Sequence, residues 1–169
     1  MHNIKPFLPE LFTEPGSLLY IGARIDAHSW LEELYKAGNQ ITVLEVWQDN
    51  LDKLMNDWRI ENLVLGDARN IVDLFVGNFN YIFWWHGPEH LEQNDILSTL
   101  QNLESKTNKL IALASPWGWY PQGEYKGNPY EKHQSTLYPK FFELLGYKVE
   151  TDGVADKAGS QVVAWKKLV

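Results

Sequence analysis

The sequence predicts an α/β domain, a doubly wound, mostly parallel seven-stranded sheet with helices on both faces and a C-terminal antiparallel hairpin. Three observations predict it. Short apolar runs recur at residues 18–21, 41–46, 62–65, 81–85 and 110–114, with amphipathic segments between them. Most of these runs are continuous rather than alternating, as suits parallel strands covered on both faces. The chain then ends in two strand-like runs, 147–151 and 161–166, joined through Asp152-Gly153 and a small-residue loop, which is the pattern of a hairpin.

The intervening segments follow helix grammar. Residues 29–38 place Ser29 and Glu32 at capping-box spacing, put apolar residues at 30, 31, 34 and 35, and stop at Gly38. Asp49 is placed to cap a second helix carrying Leu51, Leu54 and Met55, and residues 70–75 form a shorter third element. A longer helix is expected over 90–106, ahead of the run at 110–114. Strand and helix thus alternate, predicting a layered sheet with right-handed crossovers. After a Gly/Pro/Tyr-rich stretch at 115–130, a helix is expected over 139–145.

Composition narrows the classes. The 169 residues suit a single domain, 1–169, able to bury roughly two-thirds of its unfolded surface. Hydrophobic residues make up 44%, and eight Trp and eight Tyr leave aromatic side chains for a pocket as well as a core. The formal charge is -7 and the only adjacent basic pair is Lys166-Lys167, which disfavours nucleic acid as a partner. The absence of Cys excludes disulfides, thiolate zinc sites and a cysteine nucleophile, and no metal site is read from the sequence. The first six residues lack the basic and apolar regions of a signal peptide, and no apolar run approaches the ~18 residues of a membrane span, so no membrane association and a cytoplasmic location are expected.

In open α/β sheets ligands bind beyond the carboxyl ends of the strands. Four places qualify. Gly22 to Asp26 follow the first run, where a glycine lets backbone approach a ligand. Glu45 ends the second, where a carboxylate can accept two hydrogen bonds from a ribose diol. Gly66-Asp67 follow the third, with an acid able to meet a base amine. Trp85-His86-Gly87-Pro88-Glu89-His90 follow the fourth and are dense in titratable and aromatic groups. One extended adenosine-like ligand would touch all four.

From about Gly16 to Trp165 the chain resembles the class I S-adenosylmethionine-dependent methyltransferases. The most specific matches are Ser115-Pro116-Trp117-Gly118, Pro121-Gln122-Gly123 and Gly127-Asn128-Pro129-Tyr130-Glu131-Lys132-His133. Pro88-Glu89-His90-Leu91 is similar to the Glu-His pair that opens the helix after the family's fourth strand. The resemblance implies S-adenosyl-L-methionine as cofactor, Gly22 in the cofactor turn, Glu45 at the ribose and Asp67 on the adenine side. The family places an acid where Tyr20 stands and glycines where Arg24 and Asp26 stand. Two readings follow: Arg24 and Asp26 hold the carboxylate and ammonium of the cofactor's methionine end, or they form a local ion pair or a helix cap in a methyltransferase-like binding or scaffold protein that has lost catalysis.

Methyl transfer needs positioning, and a base only where the acceptor loses a proton. His86 is the first candidate base because it directly follows a strand; His133, in the resembling loop, is the second, and His90 is read chiefly as a helix start. Trp84 is assigned to the core and Trp85 to the cofactor wall. The loop at 115–135 is expected to cover a small-molecule or peptide-group acceptor, with Trp117, Tyr120, Tyr130 and His133 as its contacts.

Overall fold

The computed structural model describes residues 4–24 and 29–168. Seven strands, β1 (Ser17–Ile21), β2 (Gln40–Glu45), β3 (Ile60–Leu65), β4 (Phe79–Trp85), β5 (Thr107–Pro116), β6 (Lys148–Asp152) and β7 (Gln161–Lys167), form one sheet in the order β3-β2-β1-β4-β5-β7-β6. The first five run parallel, and β7 is antiparallel to both β5 and β6. The chain moves outward from β1 to β3 and then returns to β4 on the other side of β1. That reversal is the topological switch point at which open α/β sheets leave a crevice.

Strand periodicity assigns the two cores. Leu18 and Tyr20 point to one face of β1, Leu19 and Ile21 to the other, and all four are buried. On the first face Leu18, Tyr20, Val43, Phe83 and Ala112 pack with Leu11 of α1 (Glu10–Thr13), Leu31 and Leu34 of α2 (Leu31–Lys36) and Leu54 of α3 (Gln48–Leu54). On the second, Leu19, Leu44, Ile82 and Leu113 pack with Ile71 of α4 (Ile71–Leu74), with Ile96, Leu100 and Leu103 of α5 (Gln93–Ser105), and with Phe142 of α6 (Pro139–Leu144). Burial on both faces is why these strands read as continuous apolar runs. The edge strands differ: β6 is largely exposed and β3 only half-buried.

Element ends depart from the sequence reading in informative ways. In α2 the Ser29 hydroxyl accepts from the Leu31 N–H at 3.2 Å, while Glu32 turns outward to Lys36 and Arg59 instead of closing a capping box. Gly38, at φ +82°, does end that helix. Asp49 lies inside the first turn of α3, and Trp47 takes the cap position. Asp67, rather than a residue near 70, caps the third element, which opens as a 3-10 turn at Ala68–Asn70. The helix expected from residue 90 starts at Gln93, because Leu91 and Glu92 are extended and separate it from a 3-10 turn at Pro88–His90. Helix α1, for which no element is expected, contributes Leu11 to the first core.

Helix α5 offers a clean test of the two-core assignment. Leu100 is 1% exposed and Leu97 is 44% exposed on the same helix. Leu100→Ala should lower the unfolding free energy in urea by about 2–5 kcal/mol, whereas Leu97→Ala should change it by no more than ~0.5 kcal/mol.

Candidate functional site

Parallel register brings the carboxyl ends of the strands into one row. Ile21 is opposite both Leu44 and Trp84, Glu45 is opposite Leu65, and Trp85 is opposite Ala114. The residues that follow surround a single cavity of about 640 Å³, within the range of small-molecule sites.

At the end of β1 the Gly22 N–H extends the ladder to the Leu44 carbonyl at 2.9 Å, and the chain then turns at φ +66°. A Cβ there would meet nothing within 4 Å. The need for glycine is therefore in the backbone angle, and the residue faces open space. Arg24 lines the cavity beyond it.

Glu45, at the end of β2, is 5% exposed, and its Oε1 accepts from the Trp47 N–H at 2.9 Å. Burial raises its pKa, partly opposed by backbone hydrogen bonds, and the charge of Glu131 on the facing loop pushes the same way as burial. At the end of β3, Asp67 Oδ1 accepts from the Arg69 N–H at 2.9 Å and both its oxygens receive the Arg69 guanidinium. Arg69 Nη1 reaches Asp95 of α5 at 3.0 Å, so the pair ties the strand end to the helix layer. Burial works against the Asp67 charge, but Arg69 outweighs it and holds the carboxyl below its ordinary value.

The end of β4 is the most constrained part. His86 adopts φ +54°, a left-handed conformation that costs a non-glycine residue energy and is found at functional sites. Its N–H is anchored on the Ala114 carbonyl at 2.9 Å. The ring sits between two carbonyl-bearing side chains, with Nδ1 3.3 Å from Glu89 Oε1 and Nε2 3.3 Å from Gln161 Oε1. Gly87 follows because any Cβ there would overlap the Trp84 indole. The turn at Pro88–His90 then drives Glu89 inward until it is 2% exposed. Neither Glu89 carboxylate oxygen has an aligned hydrogen-bond partner. Burial alone would favour its neutral form, but the adjacent imidazoles of His86 and His90 outweigh that and lower its pKa. Burial likewise opposes charge on His86, and the Glu89 carboxylate reverses the direction, raising the His86 pKa.

The loop after β5 is ordered by its own hydrogen bonds. His133 donates through its backbone N–H to the Gln122 carbonyl at 3.0 Å and through Nδ1 to the Tyr120 carbonyl at 2.6 Å, while buried Asn128 accepts from the Tyr130 N–H at 3.0 Å. The Gln134 and Ser135 N–H groups donate to the Glu89 carbonyl at 2.8 and 3.2 Å, fastening the loop onto the turn after β4. Burial lowers the His133 pKa.

The structure therefore gathers Gly22, Arg24, Glu45, Asp67, Trp85, His86, Tyr120, Tyr130 and His133 around one cavity. Trp117 is not brought there. The chain turns at Gly118, φ +86°, and Trp117 packs instead against the core on the α5 and α6 face. Asp26 lies outside the described residues. Sequence reasoning assigned no role to Glu89, Gln161, Arg69 or Asn128, all of which line the cavity. Glu89 stands within a motif rich in titratable groups, a signal that was available; Gln161 reaches His86 from 75 positions away, and no local pattern points to it. Trp84 is a core residue, 4% exposed.

No family model matches the sequence, and no curated protein matches it. Solved structures do. The N-terminal domain of EvdMO1 with SAH bound superposes with a TM-score of 0.70 at 17% identity over 96% of this chain and 78% of that one. A SAM-dependent methyltransferase from Archaeoglobus fulgidus gives 0.65 at 14% identity, over 96% and 91% of the two chains. The fold is that of the class I S-adenosylmethionine-dependent methyltransferases. A protein from Rhodobacter sphaeroides described as a putative Zn-dependent alcohol dehydrogenase matches at 0.69 with 11% identity, over 98% and 89%. Shared architecture therefore does not by itself assign the reaction, and the methyltransferase fold has to be read through its site. No helix among the described residues is long and apolar enough to cross a membrane.

The Arg69–Asp67 pair makes the electrostatics of this methyltransferase fold testable. Arg69→Ala keeps the burial of Asp67 and the backbone donor at position 69 but removes the guanidinium, so the Asp67 pKa should rise above its value in the parent protein in a carboxyl-carbon NMR titration. In the parent protein the depressed pKa contributes stability at pH values above the unfolded-state aspartate range, lost as pH falls through the folded value. The variant should lose less stability across that acidic window.

Proposed function

We propose that this chain is an S-adenosylmethionine-dependent methyltransferase acting on a small-molecule or peptide-group acceptor. The observation that carries the reading is the open cavity of about 640 Å³ joining the ends of β1, β2, β3 and β4, with Gly22, Glu45 and Asp67 on one side and His86 on the other. The residues fit the cofactor. Gly22 leaves open space where a side chain would stand. Glu45 has committed Oε1 to the Trp47 N–H and retains acceptor capacity for a ribose diol. Asp67 stands at the adenine side, its orientation fixed by Arg69. Arg24, at the mouth of the turn, supplies a guanidinium for the methionine carboxylate.

The bound cofactor supplies an electrophilic methyl group on a sulfonium. The chain's own work is to hold the acceptor in line, exclude water and receive a proton. Tyr120, Tyr130 and His133 form the wall that faces the acceptor. His86, at the strand end, serves as the base: its Nδ1 proton faces the Glu89 carboxylate, Nε2 takes the acceptor's proton once the Gln161 side chain, 3.3 Å away, yields that position to the acceptor, and Glu89 stabilises the imidazolium that results. The positive φ of His86 is consistent with a residue held in place for such a role.

Thermal-shift titration with S-adenosylmethionine and S-adenosylhomocysteine tests the binding half. Ligand at ~100 times its dissociation constant adds about 2.7 kcal/mol of apparent stability, a shift of several degrees for a domain of this size. Glu45→Ala should abolish most of the shift. His86→Ala should preserve it and lower the rate of S-adenosylhomocysteine release, measured over a panel of hydroxyl and amine acceptors, by about 10²–10⁴-fold. No shift at millimolar ligand would overturn the proposal in favour of a scaffold that has lost its cofactor.

A further inference from the structure

The role of Glu89 behind His86 Nδ1 does not account for all of its surroundings. Its side chain is 3% exposed, both carboxylate oxygens lack an aligned hydrogen-bond partner, and two imidazole nitrogens stand beside Oε1, His86 Nδ1 at 3.3 Å and His90 Nε2 at 3.9 Å. Buried carboxylates are normally hydrogen-bonded, paired or bound to metal, because desolvating the charge without a partner is costly.

The two histidines beside it are oriented as ligands. His90 Nδ1 faces the Lys132 carbonyl at 3.3 Å, and His133 Nδ1 faces the Tyr120 carbonyl at 2.6 Å. A carbonyl can only accept, so each Nδ1 carries a proton, and in the neutral, ligating imidazole Nε2 keeps its lone pair. Such a backbone contact behind the ring is the usual outer support of a metal-bound imidazole. One ligand atom each from Glu89, His90 and His133 can be chosen so that all lie within 4.8 Å of one another. Three ligands at ~2.0–2.1 Å from one tetrahedral ion stand about 3.3–3.4 Å apart, so the trio has to close by up to about 1.5 Å when the ion binds. The frame is already built: the Gln134 and Ser135 N–H groups clamp the loop to the Glu89 carbonyl, and the Gln134 side chain donates to the His90 carbonyl.

We propose that Glu89, His90 and His133 form a binding site for a divalent transition-metal ion, Zn²⁺ in the first instance, on the wall of the cavity. Two imidazoles and a carboxylate suit Zn²⁺ and leave a coordination position open; Mg²⁺ and Ca²⁺ prefer all-oxygen sets. His86, behind the same carboxylate, supplies an outer contact to a ligating Glu89. All three ligands line the cavity that also holds Glu45 and Asp67. Resting on the methyltransferase reading, the open position takes an oxygen or nitrogen atom of the acceptor, which defines the acceptor class as one bearing a metal-ligating group.

The test uses the full chain, stripped with chelator and titrated with Zn²⁺ by calorimetry and with Co²⁺ by visible absorption. One ion per chain is expected, with binding at least ~100-fold weaker in His90→Ala and His133→Ala, ligand loss costing no less than the 10–100-fold typical of outer-shell partners. Glu89→Gln should behave alike; circular dichroism checks that each variant folds, and if Glu89→Gln does not, the two histidine variants decide. Absence of a Co²⁺ band, or equal affinity in parent and histidine variants, overturns the site. Glu45→Ala separates the two claims: it should keep the Co²⁺ band while losing the cofactor shift. A parent chain with the cofactor shift and no metal binding sinks this inference alone, and one with the metal and no shift sinks only the methyltransferase reading.

Discussion

The structure depends on the parallel pairing of β1 with β2 on one side and β4 on the other. A strand hydrogen-bonded along both edges and buried on both faces requires a helical layer above and below, and it forces the connections to start and finish at opposite ends of the sheet. Because the chain leaves β1 in one direction and returns to β4 in the other, neighbouring loops diverge over the end of β1. The cavity is the space that this divergence leaves.

What fills the rim of that space is set by how each strand stops. Gly22 turns with a positive φ, Asp67 caps a 3-10 turn, and His86 takes up a conformation unusual for a residue with a Cβ. Gly87 then passes so close to the Trp84 indole that no side chain is tolerated, and Pro88 directs Glu89 inward. The loop after β5 closes on this turn through two backbone donors to the Glu89 carbonyl. Carboxylates, imidazoles and aromatic rings from separated parts of the chain are thereby held at short range in a partly dehydrated space, where each shifts the protonation of its neighbours.

Much of this was legible residue by residue. Strand-like runs marked all seven strands, the central ones because burial on both faces leaves a continuous apolar signature, and the strand-end rule then pointed to Gly22, Glu45, Asp67 and His86, which line the cavity. Helix ends were read less well: Asp49 fell inside its helix and α5 began three residues late, because extended residues between two helical turns have no distinctive composition. Trp117 was misplaced because a strand-end aromatic is compatible with either face of the turn, and Gly118 sends it to the core.

The sequence by itself determined the sheet, its two helical layers and the set of strand ends where chemistry would collect, because apolar period and turn residues are local properties written along the chain. Only the tertiary structure decided which of those groups meet. Glu89 becomes a buried carboxylate among three histidines, and Gln161 a partner of His86, through a loop closure and a strand reversal that join positions dozens of residues apart. Distances of that kind follow from backbone register and packing, which no local pattern encodes.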